Sequence, residues 1–355
     1  MDRFPKAVFD HLPNPIILIG ASREIVDINR AARESFDIRR TGQDIAISLR
    51  NPDILRAVDS VLAEGGSREI ETSIPDTPPR VIAAHAEHVG DTAELDGIAV
   101  VLSITDLTAI KRMEHMRADF VANASHELRS PLSAIIGFLE TLGGPAKDDA
   151  EAHSRFIDIM LRESRRMNRL IDDLLSLSRV EINEHVQPTG AITIQPVLAR
   201  VMETLNGKAS ERGMELKLII ADDVQTLQGD AEQLEQVFHN LVDNAIKYGA
   251  EKSPVTIHAT SIERLPGRRI EGAAISVTNE GEGISQDAIP RLTERFYRVD
   301  KARSRTLDST GLGLAICKHI ISRHRGLLEI DSTIGKGSTF TVYLPVSPSD
   351  SRTTL

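Results

Sequence analysis

The chain has one cysteine, Cys317, and no tryptophan in 355 residues. A single thiol cannot form an intramolecular disulfide or a multi-thiolate metal site, which fits a reducing cytosol. Long apolar runs are missing too. The best, Ile16-Ile17-Leu18-Ile19, is strand length and far from the ~18–20 residues of a membrane helix. No basic-then-apolar leader opens the chain. The expectation is therefore no membrane span and a cytoplasmic location, at the inner face of the membrane if a partner or a missing segment brings it there. Positive charge is in deficit: 42 Lys and Arg against 52 Asp and Glu leave a net charge of −10, which argues against a nucleic-acid-binding surface. The rest is ordinary for a globular protein, 41% hydrophobic and 26% charged, and long enough for two or three domains.

What the chain does have is concentrated at Phe120-Val-Ala-Asn-Ala-Ser-His-Glu-Leu-Arg-Ser-Pro-Leu132. Val121, Leu128, Leu132, Ile135, Ile136 and Leu139 fall on one stripe of a helix, and His126 sits roughly 160° from Leu128 at ~100° per residue. A histidine there points to solvent, where another domain or macromolecule can reach it. Glu127 can take or hold a proton on one ring nitrogen, leaving the other as a nucleophile. Ser130, one turn on, shares that face and could orient a water or a phosphoryl oxygen. Pro131 removes a helical hydrogen bond, so a bend or loosening is expected at this turn. The competing reading is a plain surface histidine on an amphipathic helix.

Three regions flank and contain this motif. Residues 1–106 read as a mixed α/β module, with strand-like runs at Ile16–Ile19, Glu69–Ile74, Val81–Ala86 and Ile98–Ile104 and a helix near Asn29–Phe36. Residues 107–187 read as two long helices broken at Gly143-Gly144-Pro145. Two amphipathic helices bury too little alone, so pairing with a second copy into a four-helix bundle is the economical solution; a hairpin packed on its own flanking domains is the alternative. Residues 190–348 alternate strands and helices, and 349–355 form a polar tail expected to be disordered.

The third region holds four spaced elements. In Asn240-Leu-Val-Asp-Asn244-Ala-Ile-Lys247-Tyr248, the two asparagines share a helical face and could supply amide oxygens to a Mg²⁺ holding phosphates, with Lys247 adding positive charge. In Asn279-Glu-Gly281-Glu-Gly283 the glycines allow backbone to approach a planar base. Gly311-Leu312-Gly313-Leu314 opens a helix whose free N–H groups suit a triphosphate. Gly335-Lys-Gly337-Ser-Thr339-Phe340 is a turn into the last strand. Any one of these could be a simple turn.

Taken together, residues 126–132 resemble the H-box of sensor histidine kinases, with Ser130 where that family most often has threonine. The four spaced elements resemble, in order, the glycine and asparagine boxes of the family's ATP-binding domain. Leu12-Pro-Asn-Pro-Ile-Ile-Leu-Ile, Ile25-Val-Asp-Ile-Asn-Arg-Ala-Ala and Ile104-Thr-Asp-Leu-Thr resemble a PAS sensor domain. The implied architecture is a multidomain α/β protein: a PAS-like α/β sensor domain, a two-helix hairpin dimerising into a four-helix bundle, and an α/β-sandwich ATP-binding domain. The implied activity is ATP-dependent autophosphorylation of His126 followed by transfer to an aspartate of a response regulator receiver domain, with possible phosphatase activity through Glu127 and Ser130. ATP and Mg²⁺ are the implied ligands, and the matching positions Tyr248, Leu312, Leu314 and Thr339 join the nucleotide site by the same resemblance. Arg295-Phe296-Tyr297-Arg298 resembles the F-box, so Ser285–Thr310 is expected to be a mobile lid anchored by Phe296. Its Arg291, Arg295, Arg298, Lys301, Arg303 and Arg305 could complement phosphate, at least half of them being solvated instead.

The family normally has Asp at Asn279, accepting a bond from the adenine amino group; Asn keeps an acceptor but loses the charge-assisted part, about 1 kcal/mol. That departure motivates a second reading, a phosphatase-biased or weakly active sensor. An ATPase clamp is a third, which the H-box helix argues against. Leu292–Asp300 and Ser322–Gly326 look most like sensor kinases of the phosphate regulon. Cys317 is expected to be packed and inert, and His85 and His88 to be ordinary rather than haem or metal ligands. Whether phosphorylation runs within one protomer or across a dimer stays open at this level.

Overall fold

The computed structural model describes residues 6–38, 40–90, 97–300 and 309–347. The tail 349–355 and Lys301, Arg303 and Arg305 lie outside them. The chain divides into two compact units, 1–122 and 123–355.

The first unit opens with α1 (Lys6–Asp10), β1 (Ile16–Gly20), β2 (Ile25–Ile28), α2 (Arg30–Phe36), α3 (Ile45–Ser48) and α4 (Pro52–Glu64). It continues with β3 (Ser67–Ile74), β4 (Arg80–His88), β5 (Ile98–Asp106) and the start of α5 (Thr108–Gly143). The sheet has the order β2-β1-β5-β4-β3, and its pairings are antiparallel. Helix α4 and strand β2 were not among the elements expected. For α4 the signals were present: Asn51 caps the Asp53 and Ile54 amides, Pro52 starts the helix, and Ile54, Ala57, Val58 and Val61 form its buried face. The core is aliphatic, built from Ile17, Ile19, Ile25, Ile28, Ile82, Leu102 and Ile104 with the α4 face. Inside it, Asn29 has no exposed surface. Its Oδ1 accepts from the Ile16 and Ala32 amides, both at 2.9 Å, and its Nδ2 donates to the Leu12 and Asn14 carbonyls at 3.3 and 2.8 Å. All of the amide's capacity is used, so a buried polar side chain is tolerated while it caps α2.

The second unit holds the rest of α5, then α6 (Ala150–Ile182), β6 (Ala191–Ile192), α7 (Ile194–Glu211), β7 (Glu215–Ile220), β8 (Leu227–Gln228) and α8 (Ala231–Tyr248). It ends with β9 (Pro254–Ile262), β10 (Gly272–Asn279), α9 (Gly313–Arg323), β11 (Leu327–Thr333) and β12 (Gly337–Pro345). The five-stranded sheet runs β11-β12-β10-β9-β7, with β7 and β9 parallel and the other pairs antiparallel. Helices α7, α8 and α9 pack on it. Phe238, Leu241, Val242 and Ile246 of α8 and Ile316, Ile320 and Ile321 of α9 meet Ile257, Ile275, Val277 and Val342 of the strands, all essentially without exposed surface. Burial of each such side chain stabilises by roughly 1.5–3 kcal/mol.

Helix α5 stays helical through Pro131, whose ring is buried. The helix continues across it because proline's φ is itself helical and only one main-chain bond is forfeited. The apolar stripe of α5 is exposed in the single chain at Val121, Leu132, Ile136 and Leu139. So is a stripe of α6, at Ile157, Leu161, Ile171 and Leu175. The helices meet near their connection through Phe138 and Phe156, with ring centroids 4.9 Å apart.

A charged device closes the end of α8. The guanidinium of Arg212, just after α7, donates to the carbonyls of Ile246, Lys247 at 2.8 Å and Gly249 at 3.3 Å, satisfying carbonyls a helix C-terminus leaves open. The other end relies on His324. This ring, with no exposed surface, accepts from the Asp230 amide at 2.9 Å through Nε2 and donates through Nδ1 to the Ile320 carbonyl at 2.7 Å, so the neutral tautomer is fixed. Burial pushes its pKa below 6.5, with the Ile320 carbonyl opposing in part. The unfolded chain then binds more protons, so stability rises with pH, by at most ~1.4 kcal/mol per unit. Lowering the pH through about 6.5 toward the depressed folded value should reduce the melting temperature. His324→Gln should flatten that slope; an unchanged slope would put its origin elsewhere.

Candidate nucleotide and phosphoacceptor site

A cleft opens between α8, the end of β10 and the start of α9. Asn244, Tyr248, Asn279, Gly283, Gly311, Gly313 and Leu314 line it, as does Arg298, one of the six basic residues expected over the nucleotide; Glu282, Ile284, Leu292, Tyr297, Ser338 and Phe340 also line it and were not assigned to the site from the sequence. Ser338 and Phe340 could have been found from strand period alone. They alternate with Thr339, whose hydroxyl turns to the other face and bonds Thr278 at 3.0 Å, so Thr339 does not line the cleft.

Asn240, Lys247, Gly281, Phe296 and Leu312 stand beside the cleft rather than in its wall. The Asn240 amide donates to the Gly313 carbonyl at 3.4 Å, against the first residue of α9. The Lys247 ammonium bonds the Asp243 carboxylate at 2.7 Å with both groups 16% exposed, and Lys208 bonds the same carboxylate. Burial raises the Asp243 pKa, but the two lysines more than offset it and hold it below its ordinary value. Gly281 bridges Gly249, and Leu312 is fully buried. Phe296 adopts φ 62°, and its amide donates to the Gly311 carbonyl at 2.9 Å. Gly311 is required there: its φ is +75°, and a Cβ would lie 3.0 Å from Phe296 main-chain atoms. Asn279 is 4% exposed; its Nδ2 donates to the Glu280 carbonyl at 3.1 Å and its Oδ1 accepts from Ser338 Oγ at 3.3 Å.

His126 is exposed on α5, as is Ser130. Its neighbour Glu127 is held by two guanidiniums on one oxygen: Arg166 of α6 and Arg298, each 3.0 Å from Oε2. Arg298 is the convergence point. Its side chain is 5% exposed, it lines the cleft, and its Nη2 also donates to the Thr310 carbonyl at 3.0 Å. Its Nε is buried with no hydrogen-bond partner among the described residues, next to Gly311. Thr310 carries a second link. Its hydroxyl donates to Asp173 Oδ2 of α6 at 2.6 Å and accepts from the Leu312 amide at 3.3 Å. Burial raises the Asp173 pKa, opposed by the Thr310 bond and Lys247. The other described basic residues of the segment are engaged elsewhere: Arg295 with Glu181 at 2.6 Å, and Arg291 with Glu294 and over the Tyr297 ring at 4.3 Å.

Cys317 is fully buried, its thiol pushed up to about 12 chiefly by burial, so it is inert. Among the described residues no group of three His, Cys, Asp or Glu could hold a metal ion, and no helix is long and apolar enough to cross a membrane. Two neutral amide oxygens, Asn240 and Asn244, are hard donors of the type Mg²⁺ accepts when phosphates and water complete its shell.

An exposed histidine on a helical hairpin, whose neighbour Glu127 bonds an arginine of a glycine-walled cleft in an α/β domain, is an arrangement suited to a phosphotransfer enzyme. Residues 229–348 match the family model "Histidine kinase-, DNA gyrase B-, and HSP90-like ATPase", and residues 116–182 match "His Kinase A (phospho-acceptor) domain". The phosphate regulon sensor protein PhoR of Pseudomonas aeruginosa is 33% identical over 335 residues, 94% of this chain and 72% of that protein. The sensor histidine kinase WalK of Bacillus subtilis is 32% identical over 348 residues, 96% of this chain but 54% of that one. The sensor-like histidine kinase SenX3 of Mycolicibacterium smegmatis is 38% identical over 251 residues, 70% of this chain and 62% of that protein. The solved structure of histidine kinase ThkA, in complex with the response regulator protein TrrA, has a similar fold: TM-score 0.52, 19% identity, 98% of this chain and all of that one. The chain belongs to the sensor histidine kinases and is a protein-histidine kinase with an ATP-binding domain.

Proposed function

We propose that His126 is the phosphoacceptor, that ATP in the cleft is the donor, and that the phosphoryl group then passes to an aspartate of a response regulator. One observation carries this: Arg298 lines the cleft and bonds the carboxylate next to His126. In this reading the lone pair of the unprotonated ring nitrogen of His126 forms the N–P bond. The bond from the γ-phosphorus to the bridging oxygen breaks, and its electron pair leaves on ADP. The proton of the other ring nitrogen goes to Glu127, whose carboxylate the two arginines orient through Oε2. Arg298 Nε, buried and without an acceptor among the described residues, suits a phosphate oxygen. The α9 N-terminus adds main-chain N–H groups. Asn240 and Asn244 would hold Mg²⁺, which supplies charge neutralisation to the triphosphate. Ser130, on the exposed face beside His126, is our candidate to position water for dephosphorylation.

The exposed stripes of α5 and α6 favour pairing with a second copy, giving a homodimer through a four-helix bundle. The domain division we propose is 1–106 as a PAS-like sensor, 107–187 as the dimerisation and phosphotransfer hairpin, and 190–348 as the nucleotide domain; the five-stranded antiparallel order of the first unit suits that assignment. A phosphate-responsive role is suggested by the likeness to PhoR.

The test is incubation with Mg²⁺ and γ-labelled ATP beside His126→Gln. Acid-labile, base-stable label on the wild type and none on the variant is the expected result; equal label on both would remove His126 from the reaction. Asn279 favours a second reading, a phosphatase-biased sensor, because its amide already serves Glu280 and Ser338 and lacks the charge of an aspartate. Asn279→Asp should tighten ATP binding several-fold, about 1 kcal/mol, by titration calorimetry. No gain would mean that position 279 does not read adenine.

A further inference from the structure

We infer, resting on the kinase reading above, that the phosphoryl group moves within one chain: each protomer's nucleotide domain phosphorylates its own His126. Polar links join the hairpin to the nucleotide domain of the same chain, and five of them carry the argument. Along α6 they are Asp173 to Thr310 at 2.6 Å, Ser176 to Gln236 at 2.8 Å, Glu181 to Arg295 at 2.6 Å, and Glu184, just beyond the helix, to His319 at 3.0 Å. The fifth is Glu127 to Arg298 at 3.0 Å, and it decides the matter because it joins the residue beside His126 to the wall of that chain's own cleft.

Helical arithmetic separates this docking face from the dimer face. Asp173, Leu177 and Val180 fall within roughly 60° of one another on α6, and Glu184, just past its end, continues the same face. Leu177 and Val180 are buried between the polar links. The exposed stripe containing Ile157, Leu161, Ile171 and Leu175 lies about 160° around the helix from Asp173 at ~100° per residue. A second copy seated on that stripe approaches from the far side and leaves the intrachain docking face intact. Arg166 of the same chain grips the same Glu127 oxygen as Arg298. The acceptor's neighbour, its orienting arginine and the cleft-wall arginine therefore all come from one protomer. The step balances as written above, with ATP as the only co-reactant.

The test uses full-length heterodimers, co-expressed with two tags of different size and purified on both. One pairing joins a wild-type protomer to a protomer carrying His126→Gln and Asn244→Ala together. Transfer within the chain predicts label on the wild-type protomer at about half the homodimer level, one of two symmetric sites remaining. The complementary pairing joins a His126→Gln protomer to an Asn244→Ala protomer and is expected to stay unlabelled. Label on the Asn244→Ala protomer, comparable to wild type, would overturn the inference. A parallel set with Gly311→Ala in place of Asn244→Ala, with folding checked by melting temperature, guards against a lesion that merely unfolds the domain. A wild-type homodimer that takes no label would instead overturn the kinase reading, a result distinct from label appearing on the wrong chain.

Discussion

Arg298→Ala is expected to slow His126 phosphorylation by about 10²–10³-fold at saturating ATP, the usual cost of removing one preorganised charge from a phosphoryl-transfer site. Three roles are lost at once. The Glu127 carboxylate keeps only Arg166, the Thr310 carbonyl loses its donor, and the buried Nε, which has no protein acceptor among the described residues, is no longer there to meet a phosphate. Lysine should not rescue. A single ammonium cannot reach the carboxylate, the carbonyl and the cleft together, as the planar guanidinium does. The measurement is the initial rate of label incorporation over a range of ATP concentrations. The loss should fall mainly on the rate at saturation rather than on ATP affinity. A variant within threefold of wild type would show that the Glu127 contact is not used in the reaction.

Replacing Gly311 by alanine should act on binding instead. A side chain at φ +75° costs ~1–2 kcal/mol, and the new Cβ would press on the Phe296 main chain at 3.0 Å and Arg298 Nε at 3.3 Å. The segment must shift where it forms the cleft wall. ATP affinity is expected to fall about tenfold to a hundredfold, ~1.4 kcal/mol for each factor of ten. The fold of the nucleotide domain should survive, because its core lies in α7, α8, α9 and the sheet. Calorimetric titration of ATP beside a thermal melt separates the two. Full-strength binding would mean that the Phe296–Gly311 contact can relax freely, and the argument for a required glycine would fail.

Arg298 also shows where reading a sequence stops. It was one of six basic residues in a segment expected to lie over the nucleotide, with nothing local to set it apart. Glu127 lies 171 positions away, and no periodicity links the two. Asp173 and Thr310, separated by 137 positions, were invisible for the same reason. Asp173 reads as one more acid on the polar side of an amphipathic helix until a folded domain is laid on that side. Lys247 shows a pairing that helix spacing did not bring out. Helix spacing alone puts it a turn from Asn244, near any phosphate, yet Asp243 on the same helix captures its ammonium.

The sequence by itself determined the features that depend on neighbours within a turn or a strand. These include the two long helices with their glycine-proline break, the solvent-facing side of His126, the apolar stripes and most strands. They also include glycine at positions of positive φ such as Gly283 and Gly311. Side-chain direction in a helix or strand follows residue spacing, so these are legible from one segment at a time. Tertiary structure alone decided which charges meet: Arg298 with Glu127, Thr310 with Asp173, His324 with the start of α8. Those pairings depend on how whole faces of separate elements pack, and many sequences with the same local periodicity would pair different charges once folded.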